Sequence, residues 1–515
     1  MRSNQSKAAH HHKGSHRLLW RASLLVLTTH ACTTDRVPAS LERQHTINRV
    51  RTLSSSNISN GRPVEFNLDQ VAALRASIAT EKDPTSHKVL TFLHAFVNRQ
   101  FVEQGTRDLE RDIQALRTSP VGLDNLTLSL ANATKFLATQ SDPKQRRRFA
   151  EAVSPSLADL EPLLKIRDRH IADRARELAL PDGLALAGVV RNYDVREAAN
   201  VASALLKTSD ALYLESLRDL VRVDGTLPLE EVGRPDIPWL LRGTANIEAD
   251  RLLAAVHATV MLLDIPLTCL DRFVHLPEPI HPWDLPRSQT QDILHAAGHS
   301  LHQCGCRAPA FELCHLGDRS VAEAFAVLLE GLLTEPTWLQ EQLGMEEPQL
   351  TIHLHQAALA RLLTARLHAA RVLDEVDRYG RNAAQAKKLY AAHMSRALGV
   401  SFAPGDAEHY ENDRDPFIDS ADSLRGHIIA AQIQTELITR FGDSWWRLPA
   451  AGDFLKELWL TGQRDTAEEL LARLGDAGND DIGENHAQPI LNPEPLVRWT
   501  ATRLIRQVPA ATLPF

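Results

Sequence analysis

The sequence has little sulfur and little aromatic surface: its 515 residues include five Cys, four Met and five Tyr, and Phe, Trp and Tyr together make 5%. Strands favour aromatic and β-branched residues, so this shortage, with Leu and Ala carrying most of the apolar count, argues against an all-β sandwich and towards helix. Long apolar runs are missing too. No stretch reaches the roughly 18 uncharged residues of a membrane-spanning helix, which excludes a membrane bundle and predicts no membrane span. Nor does basic charge predominate. Against 57 Lys and Arg stand 65 Asp and Glu, a net charge of −8, so the footprint of a nucleic-acid binder is absent. There is no G-x-x-x-x-G-K-[ST], no G-x-G-x-x-G and no G-x-S-x-G, which leaves nucleotide binding and serine hydrolysis without support. No fixed-period repeat marks a solenoid.

What is present is helical periodicity. Apolar residues recur at three- and four-residue spacing, as in Val89, Leu90, Leu93, Phe96, Val97 and Phe101, and again in Leu359, Leu362, Leu363 and Leu367. Pro and Gly gather between such runs, at Glu81–Pro84, Pro228–Pro238 and Pro277–Pro286. The pattern predicts about fifteen to twenty helices, with a few short strands between Trp239 and Leu285. The fold class is mainly α: two helical lobes, about 63–285 and 286–506, flanking a central cleft, with at most a small β element. Residues 507–515 read as a tail.

The first 62 residues are rich in Ser, Thr, Asn, Arg and His and read as a disordered leader. Within them Leu18–Ala31 is a short apolar segment behind basic residues, similar to a bacterial secretion signal, and Cys32 directly follows. Export to the periplasm, a lipid anchor at Cys32, and a cytoplasmic protein with an uncleaved leader are the three readings of this segment.

Histidine is in surplus, with 23 residues, and four of them fall between His295 and His315, where an even spread would put one. Three of the five Cys lie there as well. At about 100° per residue, His295, His299 and His302 share one face of a helix, and an i, i+4 His pair presents two nitrogens to one tetrahedral Zn²⁺. A second helix, roughly Ser320–Leu333, offers Glu323 as third ligand and Glu330 one heptad on. Gly298, beside His299, permits close approach of another element.

The string His295-Ala296-Ala297-Gly298-His299-Ser300-Leu301-His302 resembles the H-E-F-G-H-x-x-H signature of the thimet oligopeptidase-like zinc metallopeptidases, of the gluzincin group. Glu323, in E-A-F-A-V-L-L-E, stands where that family places its third zinc ligand. The resemblance implies a helical peptidase fold over about residues 65–506, Zn²⁺ on His295, His299 and Glu323, and peptides or short unfolded segments as cleft partners. One departure matters most. The family's general base is Ala296 here, and a methyl group moves no proton, a contribution commonly worth ~10²–10⁴ in rate. The family also supplies Tyr and His from a late helix to hold an oxyanion, whereas Asp413–His427 contains no Tyr, leaving His427, and Tyr410 with His409 just upstream, as candidates. Asp292, Asp318, Glu330 and Asp419 are candidate replacement bases. The expected function is a zinc metallopeptidase-like protein whose hydrolysis is lost or much reduced. The alternatives are an active hydrolase with a base outside the motif, and a metal-free helical protein. Cys304, Cys306 and Cys314 admit free thiols, a disulfide with Cys314 as one partner, or a second metal site with His315; Cys269 reads as core. Trp445, Trp446 and Trp459 read as core too.

Overall fold

The computed structural model describes residues 44–52, 65–123, 126–242, 247–270, 288–402, 404–408, 410–476 and 491–504. The signal-like segment, Cys32, His409, residues 477–490 and the tail lie outside these residues. The chain is built from helices, as the periodicity predicts, with one two-stranded antiparallel hairpin, Val121–Leu123 against Leu126–Leu128. Strands were expected between Trp239 and Leu285. Among the described residues of that stretch there are none: Ala249–Leu262 is a helix that buries Leu252, Ala255, Val256 and Val260, a 3.6-residue period that outweighs the local β-branched content. Residues 271–285 lie outside the described part.

The supposed leader also needs correction. Residues 44–52 form a helix that buries Ile47 and Val50, three apart on one face, in a cluster with Phe66, Leu74, Leu93 and Ile171. Arg51 pairs with Glu312 at 2.6 Å, joining this helix to a loop some 260 positions away in sequence. Pro and Gly are not confined to breaks either. Pro155 and Pro162 sit inside the 35-residue helix Pro143–Glu177, both exposed, so the main-chain carbonyls they leave unpaired face water instead of the core.

Among the described residues four apolar clusters make up the interior. The smallest is Val89, Phe92 and Leu313; another, around Phe149, Leu157 and Leu164, lines the Pro143–Glu177 helix, and a third takes in buried residues between Ile47 and Leu186 together with Phe417. The largest runs from Leu184 to Leu496 and contains Trp445, Trp446 and Trp459, each almost fully buried. It joins the helix Val195–Asp224 to Gln349–Asp377, for example through Arg366, which reaches Ser209 Oγ at 2.5 Å, and so crosses the expected lobe boundary at 285. At its centre lie Gln289–Gly305 (the His helix), Arg319–Glu330 (the Glu helix) and Asp419–Phe441 (the late helix), with the Glu helix packed against both others. Every residue from Ser320 to Leu329 is buried, the mark of a helix enclosed on all sides.

Close approach is built into the same cluster. A methyl group on Gly452 would fall 1.8 Å from the Leu263 carbonyl oxygen, a main-chain atom unable to step aside alone. Gly452→Ala is therefore expected to lower unfolding free energy by roughly 3 kcal/mol. Urea denaturation checks this against Gly405→Ala, where the same methyl meets open space and should change little.

Candidate metal centre

Each ligand-bearing helix is started by its own sequence. Ser288 and Gln291 form a capping box on the His helix, Gln291 N–H donating to Ser288 Oγ and Ser288 N–H to Gln291 Oε1. Asp318 caps the Glu helix by accepting from Ser320 N–H at 2.9 Å. The helices then meet where side chains are missing. A methyl on Gly298 would lie 2.5 Å from Ala326 Cα, and one on Gly426 of the late helix 2.6 Å from Glu323 Cγ. Glu323 is thereby held between the His helix and the late helix.

This packing brings His295, His299 and Glu323 together, all buried, with one ligand atom of each within 4.8 Å of the others. His299 Nε2 lies 3.1 Å from His295 Nε2, and Glu323 Oε2 lies 3.8 and 3.7 Å from those two nitrogens. Ligand atoms about 2.0–2.1 Å from a tetrahedral zinc stand ~3.3 Å apart, so the triangle suits such an ion. Protonation fits as well. His295 Nδ1 lies 2.5 Å from Glu330 Oε1, and because a carboxylate only accepts, Nδ1 carries a proton, which in the neutral ring leaves Nε2 its lone pair. Glu323 Oε1 is buried without a hydrogen-bond partner. Two imidazoles and a carboxylate turned on one point, with an orphaned carboxylate oxygen, are a donor set that a divalent cation satisfies.

Ala296 is buried in the His helix, one residue from the first His of the triangle. The carboxylates considered as replacement bases are engaged elsewhere or turned away. Asp292 is exposed in the first turn. Asp318 caps the Glu helix, accepts from Ala467 N–H and pairs with Arg425. Burial alone would raise the Asp419 carboxyl, yet Arg191 and Arg99 hold it well below the usual range. Glu330 accepts from His295. Of the late candidates, His427 follows Gly426 and so comes beside the Glu helix, where its ring lies 5.9 Å from that of His368. Tyr410 has Tyr390 and Arg378 as its ring partners, and burial raises its hydroxyl pKa.

His302, in phase with the two other histidines, turns away from the triangle. Its Nε2 donates to the Gly462 carbonyl at 3.2 Å, and its ring stacks on Phe325 of the Glu helix at 4.8 Å. Of the three cysteine readings, the structure has the disulfide with Cys314 as one partner. Cys269 is not simply core but bridges to Cys304, and Cys306 bridges to Cys314, which removes the proposed thiolate metal site with His315. The 35-residue gap between Cys269 and Cys304 carries no sequence cue. An isolated Gly in a helical run, as at Gly426, is a cue to close approach that sequence reasoning passed over.

No protein-family profile matches the sequence, and no curated relative does. Among solved structures, a protein assigned as an oligoendopeptidase F is similar over 90% of this chain and 86% of its own, at 13% identity and a TM-score of 0.62. PZ peptidase A, solved with an inhibitor, is similar over 90% and 88% at 11% identity and 0.59. A protein of Bacillus anthracis, also assigned as an oligoendopeptidase F, covers 89% and 82% at 13% identity and 0.55. At these identities the likeness is one of fold: the chain shares the helical architecture of these solved peptidase structures.

Burial keeps the His302 imidazole neutral, with its pKa pushed down to about 4 from 6.5. Between those values the unfolded chain binds the proton and the folded chain does not, so stability falls as pH drops from 6.5 to 4, by about 3 kcal/mol in total. Urea midpoints of wild type and His302→Gln, compared at pH 7 and pH 4.5, check this. The variant is expected to lose part of the acid sensitivity, and equal sensitivity would show that His302 does not carry it.

Proposed function

We propose that this chain is a zinc-binding, metallopeptidase-like protein that accepts peptides but hydrolyses them poorly or not at all. One observation carries the metal part: the convergence of His295, His299 and Glu323, with Glu330 fixing the tautomer of His295. A zinc ion there would supply charge to polarise a carbonyl and lower the pKa of water. The peptide part is supported by the helical peptidase fold shared with the oligoendopeptidase F and PZ peptidase structures.

Weak hydrolysis follows from the residues. Ala296 offers no group to take or return a proton. Asp318 and Asp419 are held in ion pairs, Glu330 is spent on His295, and Tyr410 is engaged with Tyr390 and Arg378. His427 is the one late candidate that the Gly426 contact brings beside the Glu helix. Export is part of the proposal: two disulfides suit an oxidising compartment, and the apolar segment ahead of Cys32 supplies a route to it.

Purified protein supplemented with zinc is expected to hold close to one equivalent by elemental analysis, and His295→Ala to lose it; less than about a tenth of an equivalent in wild type would remove the metal reading. In a peptide-cleavage assay, wild type is expected to run at least ~100-fold slower than Ala296→Glu. Equal rates would assign the chemistry to a base outside the motif.

A further inference from the structure

The loop between the two ligand-bearing helices is cross-linked by the Cys306–Cys314 bridge, and a distant segment, Leu460–Gln463, lies against it. Gln463 N–H donates to the Leu313 carbonyl at 2.8 Å, Asp318 N–H to the Gln463 carbonyl at 3.0 Å, and Arg307 N–H to the Leu460 carbonyl at 3.0 Å. Gly462, at φ +61°, packs on the bridge itself: a methyl there would lie 2.5 Å from Cys306 Sγ and 3.0 Å from Cys314 Cα. The Gly462 carbonyl is also the acceptor for His302, whose ring rests on Phe325, two residues from Glu323. His302 itself is three residues from His299. A short series of contacts therefore runs from the bridge through Gly462 and His302 to both ligand-bearing helices, and through Gln463 to Asp318, the cap of the Glu helix.

The two bridges differ in access. Cys306 and Cys314 are both half-buried, whereas in the other pair Cys304 is half-buried and Cys269 buried, so the first bridge offers two half-buried cysteines to a reductant and the second offers one.

Resting on the metal-binding reading above, we propose that the Cys306–Cys314 bridge sets the metal affinity of the His295–His299–Glu323 centre, so that a dithiol opening this bridge weakens metal binding. The step is thiol–disulfide exchange. The dithiol gives two electrons and two protons, the Cys306–Cys314 S–S bond becomes two thiols, and the dithiol leaves as a cyclic disulfide. Without the cross-link the 307–314 loop no longer has to close on Gly462. The Gly462 carbonyl can then drift from His302, and the spacing of the two helices is no longer fixed at that end.

The test uses the full oxidised chain loaded with zinc and titrated with a chromophoric chelator. Compared with it are Cys306→Ser/Cys314→Ser, Cys269→Ser/Cys304→Ser, and wild type reduced with a dithiol, then desalted under inert gas so that no dithiol competes for the ion. Zinc affinity is expected to fall about tenfold or more in the Cys306→Ser/Cys314→Ser protein and in reduced wild type, the scale of losing a supporting contact to a metal ligand, and to return on reoxidation. Should the variant not fold, reduced wild type, followed by circular dichroism for retained helicity, carries the comparison. Affinity within twofold of oxidised wild type in the reduced protein, or a loss confined to Cys269→Ser/Cys304→Ser, overturns the coupling while leaving the metal reading in place. Oxidised wild type that takes up no zinc overturns both.

Discussion

Direct main-chain contact between the Glu helix and its two neighbours is the constraint on which the rest of the structure depends. Gly298 and Gly426 put no side chain of their own between the helices, and the atoms facing them are the Phe325 and Ala326 main chain on one side and the Glu323 side chain and carbonyl carbon on the other. Packed interiors give way little, and here the facing atoms are largely backbone, so the Glu323 carboxylate is placed by helix geometry and not by a loop. The ion pairs then fix position along the helix axes. Arg425 of the late helix reaches Asp318 at the start of the Glu helix and Glu468 beyond it, and its guanidinium lies over the Tyr193 ring at 4.2 Å. Breaking one member of such a buried set strands its partner without charge compensation, a loss typically far larger than the net worth of the pair.

Ligation and proton transfer are separable demands, and the two are treated differently in this molecule. Everything that holds a cation is buried, capped and oriented: the caps at Ser288 and Asp318, the tautomer set by Glu330, the two glycine contacts. Ala296, on the same helix as His295 and His299, ends in a methyl group, which moves no proton.

The ligand triangle was legible in the sequence because it is local. His295 and His299 lie one turn apart, so periodicity puts them on one face, and Glu323 was reached through the next long helix and the resemblance of the motif, its approach to them being made by the Gly298 and Gly426 contacts. Helix content and the buried tryptophans followed from the same periodicity. Three kinds of feature were illegible. The Cys269–Cys304 bridge and the Arg51–Glu312 pair join residues whose adjacency arises only when distant helices fold together. His302 shares the face of His295 and His299, and only the carbonyl of Gly462, 160 residues on, decides that its ring turns elsewhere. The helix at 44–52 is short and set among polar residues, so Ile47 and Val50 gain meaning only from the cluster that covers them. The resemblance of the motif pointed to the fold that the solved structures share, although their sequences have diverged to 11–13% identity.

That short helix limits how the chain could be matured. Val50 is fully enclosed and Ile47 nearly so, and Arg51 braces the Phe311–His315 turn that carries Cys314. A cut within or just after this helix would release a piece of the core and unbrace the turn that holds one of the bridged cysteines. Any mature form that keeps the fold intact must therefore begin upstream of Ile47.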